Sequence, residues 1–491
     1  MPLVRSAVMS ALLLGCVLGS FAVAQLAGSP GPARSSAPLL LSLGAAPDEA
    51  ALRRVAAVRV VRPGFVVPGT PPGLNASITV RYGPARPRAA LLLMPGFLGG
   101  AGSFDRLARQ IVALDPGVAV WAVDRRSNLL EPQAELAGAS PARLAEIVRS
   151  GLPVRPPDSV TFMRDWGLDA TLRDWRVAVK EARTLTPHVF IGGHSLGAGL
   201  AGLYAAYDFG GAPGSNGRGS DDLRGVVMLD GTPDLLGGDA MTRQSYEAGA
   251  PGPLGPLTGV KGLAANPYVD ALYFGPGLAS RGAAQARLAA AQPNAPAPAG
   301  GLVPFAATNL AAALLQLEQR YALLPFLTLR TGHATNAVEA PHLLADFLGG
   351  KNSVWVAGPQ DRRSPVGWQA DPQAPTDPGD FVRRFWTPLG DYSEWYFPNR
   401  LLLDVAAARQ GTRGTPFEND LRVWHTASVP VLGIAAGEGV TTETDYRRSG
   451  ALIPAPLTVH TLPGAAHLDI TAARSDAVAR WILAWMRGVT P

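Results

Sequence analysis

The segment HVFIGG (188–193) runs straight into GHSLG (193–197) and on into LGAGLAGLYAAY (196–207). No other junction constrains the chain as tightly. An apolar, β-forming run must pass into an Ala/Leu-rich helix with no loop between them. A serine at the apex of so sharp a turn is held in a strained backbone conformation, and side chains beside it are excluded, which is the reason for Gly193 and Gly197. The Ser195 hydroxyl then stands above a sheet edge, at a helix N-terminus that favours developing negative charge. Ala198 and Gly199 let the helix pack closely on the sheet.

The flanking sequence supplies such a sheet. AALLLM (89–94), VAVWAVD (118–124), HVFIGG (188–193) and RGVVMLD (224–230) read as strands, separated by helical patterns over about 103–114, 169–183 and 196–207. VRVVRPGFVVPGTPPGLNASITVRY (58–82) reads as a hairpin. Strands alternating with helices predict a mostly parallel, doubly wound α/β sheet. The rhythm stops after residue 233 and resumes at VPVLGIAAG (429–437) and LTVHTLPG (457–464), before a final helix over about 468–487. The expected organisation is a core in two parts, 58–233 and 426–491, with a loop-rich, mainly helical cap insertion at 234–425. Within the insertion an Ala/Leu helix is expected over about 309–323. An aromatic cluster (Phe381, Phe385, Trp386, Tyr392, Trp395, Tyr396, Phe397) would either wall an apolar pocket or pack inside the cap.

With its strand and helix in place, GHSLG resembles the nucleophile elbow of the α/β-hydrolase superfamily. The resemblance covers about 85–235 and 426–491. It implies an eight-stranded sheet and a triad in the chain order Ser, acid, His. The implied nucleophile is Ser195. The implied base is His467, in PGAAHLD (463–469) between the last strand and the last helix. The oxyanion donors implied are the backbone N–H groups of Leu196 and of Phe97, the latter in PGFLGG (95–100), where relatives often carry His-Gly. Many members place the acid after strand seven, and there this chain has Gly439, with Glu438 adjacent. Others place it at the end of strand six, which here is Asp230. Asp230 is the expected acid, with Glu438 the alternative and acids such as Asp445 behind them. Asp124-Arg125-Arg126 reads as a salt-bridged loop. His333 and His342, in the insertion, and mid-strand His460 read as structural.

Composition narrows the partners. Hydrophobic residues make up 47% and charged residues 16%, which fits a chain with a sizeable core and excludes a disordered or coiled-coil one. A net charge of +5 over 491 residues, with no dense basic run, gives no footprint for nucleic acid. The single cysteine, Cys16, excludes a zinc site built from cysteines and an intramolecular disulfide. Residues 1–24 have Arg5, an apolar run and Ala22-Val23-Ala24, the layout of a secretory signal. The alternatives are lipidation at Cys16, in LLGC, or an uncleaved anchor. Residues 25–57 read as a linker.

The expectation is therefore a secreted or periplasmic serine hydrolase that cleaves carboxylic esters, favours apolar acyl groups and needs no cofactor or metal. Its partner is a small-molecule or lipid-like acyl substrate, and it meets a membrane only through an uncleaved or lipidated N-terminus. An acyltransferase with the same triad, and a non-catalytic binding protein on the same fold, are the alternatives.

Overall fold

The structure is a computed structural model. It describes residues 47–490 apart from 212–216, 236, 238, 253–255, 272–273, 325–326, 351, 427, 450–451 and 453–455. Residues 1–24, read from the sequence as a secretory signal, Cys16 and most of the expected linker lie outside the described residues. The linker reading fails at its C-terminal end. Asp48 caps a short helix, α1 (Glu49–Arg54), by accepting from Ala51 N–H at 2.7 Å. Arg109 Nη1 donates to the α1 carbonyl of Leu52 at 3.2 Å and buried Leu52 anchors the turn. The next strand begins at Ala57. A capping aspartate and one apolar anchor suffice for this, and a compositional reading averages both away.

Eight strands form the central sheet: β1 (Ala57–Pro63), β2 (Ala76–Tyr82), β3 (Ala89–Met94), β4 (Val118–Asp124), β5 (Val189–His194), β6 (Gly225–Leu229), β7 (Val431–Glu438) and β8 (Leu457–Ala466). Their spatial order is β1-β2-β4-β3-β5-β6-β7-β8. β1 pairs antiparallel with β2, and β2 antiparallel with β4; the remaining pairs are parallel.

Both faces of this sheet are covered, as continuous apolar strands require. On one face Ala90, Leu92, Met94 and Ile191 pack under α3 (Leu168–Leu185) and α4 (Leu196–Ala206). On the other, Leu91, Leu93, Phe190 and Val227 pack under α2 (Asp105–Leu114) and α5 (Ala477–Val489). The period-two alternation along β3 thus assigns side chains to two separate cores.

β6 and β7 are neighbours in the sheet, so the roughly 200 residues between them form one insertion. Its Ala/Leu helix is shorter than expected, Asn309–Leu314. Beyond it the backbone of 317–319 pairs with Leu329: Leu329 N–H donates to Leu317 O and Gln319 N–H to Leu329 O, both at 3.0 Å. Those pairings, together with the buried Glu318 carboxylate that Thr331 satisfies, pull the chain out of helical geometry. The final helix is split into Asp469–Ala472 and α5, because the Ala473 carbonyl is taken by Arg106 and Gln110 of α2.

Candidate active site

Ser195 sits between β5 and α4 with φ 58° and ψ −125°, a conformation rarely adopted by residues other than glycine. Its N–H donates to Leu229 O at 2.9 Å, fastening the turn to β6. The flanking glycines are required by crowding. A methyl group on Gly197 would overlap Met94 O and lie 2.7 Å from Pro95 O, and one on Gly193 would overlap the Gly197 carbonyl group.

His467 follows β8 and is buried, with 1% of its surface exposed. Its Nδ1 lies 2.6 Å from Asp230 Oδ2. Asp230 is fully buried at the end of β6, with φ 42°. Its Oδ1 accepts from Ala436 N–H at 3.2 Å and Thr441 N–H at 3.1 Å; its Oδ2 accepts from Val440 N–H at 3.0 Å. Three amide N–H groups thus converge on the Asp230 side chain and fix its orientation. A carboxylate only accepts, so His467 Nδ1 carries its proton and Nε2 is left with a free lone pair.

His194, the residue before the serine, lies against His467, ring centroids 4.4 Å apart. Its Nε2 is 3.0 Å from His467 O and must donate to it. Burial, and secondarily the neighbouring His467, holds the His194 imidazole well below the usual histidine range, so it stays neutral. His194 therefore acts as a wedge that fixes the His467 loop.

Glu438 is elsewhere. Its side chain is 47% exposed and pairs with Arg330 at 3.0 Å, at the solvent end of β7. Asp445 caps a short helix by accepting from Thr442. Gly439, where a strand-seven acid would stand, is crowded by Asp230: a methyl there would overlap Oδ2 and lie 2.7 Å from Cγ. His342 caps a short helix, His333 is on an insertion strand and exposed, and His460 stacks on Trp481 at 4.8 Å.

The loop after β3 lies directly against the serine. A methyl on Gly96 would come within 2.8 Å of Ser195 Cβ and 3.4 Å of its Oγ. Phe97 follows, and Leu196 opens α4, where the first N–H groups of a helix have no partner within it. Phe97 makes edge contacts with Phe274 (5.5 Å) and Phe397 (5.0 Å). Of the seven aromatic residues singled out from the sequence, Phe381, Phe385 and Tyr392 pack on one another. Trp386, Trp395 and Tyr396 are buried in a separate core. Among the seven, Phe397 is the one in ring contact with Phe97, so the cluster as a whole does not wall the site.

Asp469, Arg125 and Glu394 also support the site, a role that their sequence surroundings do not assign to them. Asp469, two positions after His467, accepts from Ala466 N–H (2.8 Å), Arg330 N–H (3.1 Å) and Thr376 Oγ1–H (2.6 Å), tying the His467 loop to the insertion. Burial pushes its carboxyl up to about 7. Arg125, just past β4, pairs with Glu394 of the insertion at 2.6 Å, both fully buried. The position of Arg125 at the carboxyl edge of the sheet is a signal in hindsight; nothing local marks Glu394. Arg126 pairs with Asp174 at 2.7 Å, so the Asp124–Arg126 loop is salt-bridged.

No protein-family model matches the chain, and no curated protein sequence does. Solved structures that overlap it include a provisionally assigned lipase from Sulfolobus solfataricus, 14% identical, covering 89% of this chain and 95% of that one with a TM-score of 0.47. A thermophilic esterase from Thermogutta terrifontis is 12% identical, with coverages of 88% and 100% and a TM-score of 0.36. An epoxide hydrolase from an endophytic Streptomyces is 17% identical, with coverages of 88% and 96% and a TM-score of 0.37. The strand order and the strand–serine–helix turn, not these overlaps, fix the fold.

Proposed function

We propose that this chain, whose strand order, elbow and inserted segment are those of the α/β-hydrolase fold, is a secreted serine hydrolase of carboxylic esters. The observation that carries the reading is the buried 2.6 Å contact between His467 Nδ1 and Asp230, with the His467 ring packed beside the residue preceding a strained Ser195.

Ser195 Oγ attacks the ester carbonyl carbon, and its proton passes to His467 Nε2. Asp230 stabilises the imidazolium that forms and holds the tautomer. The carbonyl oxygen, now an anion, is held by the N–H groups of Phe97 and Leu196. Collapse of the tetrahedral adduct expels the alcohol, which takes the proton from His467 and leaves Ser195 acylated. Water, deprotonated by His467, then releases the acid. Phe97, Phe274 and Phe397 make the surroundings of the second oxyanion donor apolar, and an apolar acyl group fits them. The composition of residues 1–24 supports export, with lipidation at Cys16 as the alternative.

A fluorophosphonate probe tests the reading. Covalent label on a peptide containing Ser195, blocked by prior incubation with a p-nitrophenyl ester, is the expected result. Absence of label on that peptide in folded, full-length protein counts against a serine nucleophile.

A further inference from the structure

The loop that carries Phe97 is bound at three of its carbonyls by one side chain, Arg125. Arg125 Nη1 donates to Pro95 O at 2.9 Å; its Nη2 donates to Gly96 O at 2.7 Å and to Gly99 O at 2.8 Å. Its Nε donates to Glu394 Oε2 at 2.6 Å. One guanidinium thus binds three carbonyls of a six-residue loop and a carboxylate from the insertion.

The bond to Gly96 O has a particular consequence. The Gly96 carbonyl and the Phe97 N–H belong to one planar trans peptide and point in opposite directions. Fixing the carbonyl on Arg125 therefore fixes the direction of the Phe97 N–H. The loop needs such an anchor, because Leu98 has φ 55°, a left-handed conformation that a non-glycine residue keeps only where its surroundings impose it.

The insertion supplies the rest of the frame. Glu394 N–H donates to Leu98 O and Gly100 N–H to Tyr392 O, both at 2.8 Å, and Gly102 N–H donates to Asp391 O at 2.9 Å. Ser127 Oγ–H donates to the second Glu394 oxygen. Arg125 also lies over the Phe397 ring at 4.8 Å, beneath the aromatic residues that flank Phe97.

We infer that Arg125 is a positioning residue for the oxyanion hole, orienting the Phe97 amide, and that Glu394 makes the C-terminal part of the insertion a structural component of that hole. This rests on the serine-hydrolase reading above. Lysine cannot replace the planar fork, since one ammonium does not reproduce five donors in fixed directions.

The test uses full-length wild type, Arg125→Lys, and the paired variant Arg125→Met with Glu394→Leu. The pair leaves no unpartnered buried charge and so keeps the comparison available if the lysine variant does not fold. Deleting an oxyanion donor costs about 10²–10³ in kcat, and misdirecting one should cost about tenfold or more. KM for a p-nitrophenyl ester should stay within about threefold, because the ground-state carbonyl gains little from the hole. Affinity for a benzeneboronic acid, whose tetrahedral serine adduct fills the hole, should fall by the same factor as kcat/KM. A purely structural role would lower the melting temperature without this parallel. Undiminished kcat and boronate affinity in a folded Arg125 variant would overturn the positioning role alone. Failure of the wild-type serine to take a fluorophosphonate label would instead remove the serine-hydrolase reading, and this proposal with it.

Discussion

The carboxylate of Asp230 occupies the space that a side chain on Gly439 would need. A methyl placed on Gly439 overlaps Asp230 Oδ2 and falls 2.7 Å from both Asp230 Cγ and Ala436 Cβ. The ends of β6 and β7 are thus alternative seats for one carboxylate, and filling the first requires glycine at the second. The loop around Gly439 is also what satisfies Asp230, through the N–H groups of Val440 and Thr441.

Gly439→Ala should therefore act through Asp230, since the methyl it adds displaces that carboxylate. A displacement of about 1 Å at the acid costs about 10²-fold in kcat. Asp230→Asn should cost about 10⁴-fold. Glu438→Gln removes only an exposed ion pair to Arg330 and should change kcat by no more than about twofold. Returning the acid to the other seat, with Asp230→Gly plus Gly439→Asp, should recover at least about tenfold over Asp230→Gly. Steady-state kinetics on purified proteins decide the ranking. A silent Asp230→Asn beside a crippled Glu438→Gln would reverse the assignment.

Ser195 trades stability for its position. If it is the nucleophile proposed above, Ser195→Ala should lose about 10⁶-fold in kcat, by the precedent of triad serines elsewhere, with little change in melting temperature. Ser195→Gly removes the side chain from a φ of 58° and a ψ of −125° and should be more stable than wild type by about 1 kcal/mol, equally inactive. Thermal denaturation of the three proteins checks this. A glycine variant less stable than wild type would show that the elbow is not strained.

The legible parts of this molecule are local in sequence. Apolar runs of strand length, the alternation with helices, and a serine between two obligatory glycines can each be read within a dozen residues. The partners of those residues cannot. Asp230 and His467 are 237 positions apart, and Arg125 and Glu394 are 269 apart. The length of the Asn309–Leu314 helix is set by pairing with Leu329, which no periodicity within the helix records. The aromatic cluster leaves two readings open for a related reason: hydrophobicity specifies that Trp395 and Tyr396 be buried, not which cavity they fill.

Asp391 should give the fold a pH dependence. Burial pushes its carboxyl up to about 8, within a group that includes Asp124, Glu131 and Glu394. In the unfolded chain an aspartate ionises near about 3.9. Between these values the folded state holds a proton that the unfolded state has released. The stability Asp391 contributes is therefore full below about pH 4 and is lost as pH rises towards about 8, by up to about 1.4 kcal/mol per unit. Asp391→Asn can still accept from Trp395 Nε1–H, the bond made at 2.7 Å in the wild type, and carries no charge to bury. Melting temperature against pH should slope downward from about 5 to 8 in wild type and be flatter in the variant. Parallel curves would place the titration elsewhere.

The acyl preference should follow Phe97, Phe274 and Phe397 and not the wider aromatic cluster. Phe274 and Phe397 both make edge contacts with the ring of Phe97, whose own N–H faces the reacting carbonyl in the proposed mechanism. An acyl chain leaving that carbonyl along these rings buries about 0.8 kcal/mol per methylene, so kcat/KM should rise by up to about fourfold per added carbon from acetate to hexanoate. Phe274 is only partly buried, so Phe274→Ala should leave the fold intact and flatten this slope. Phe385→Ala, which touches Phe381 and Tyr392, should lower stability and leave the slope unchanged. A wild-type profile that peaks at acetate would rule out an apolar acyl site, and a slope that responds to Phe385 but not Phe274 would move that site, within the insertion, from Phe274 to the Phe381–Phe385–Tyr392 group.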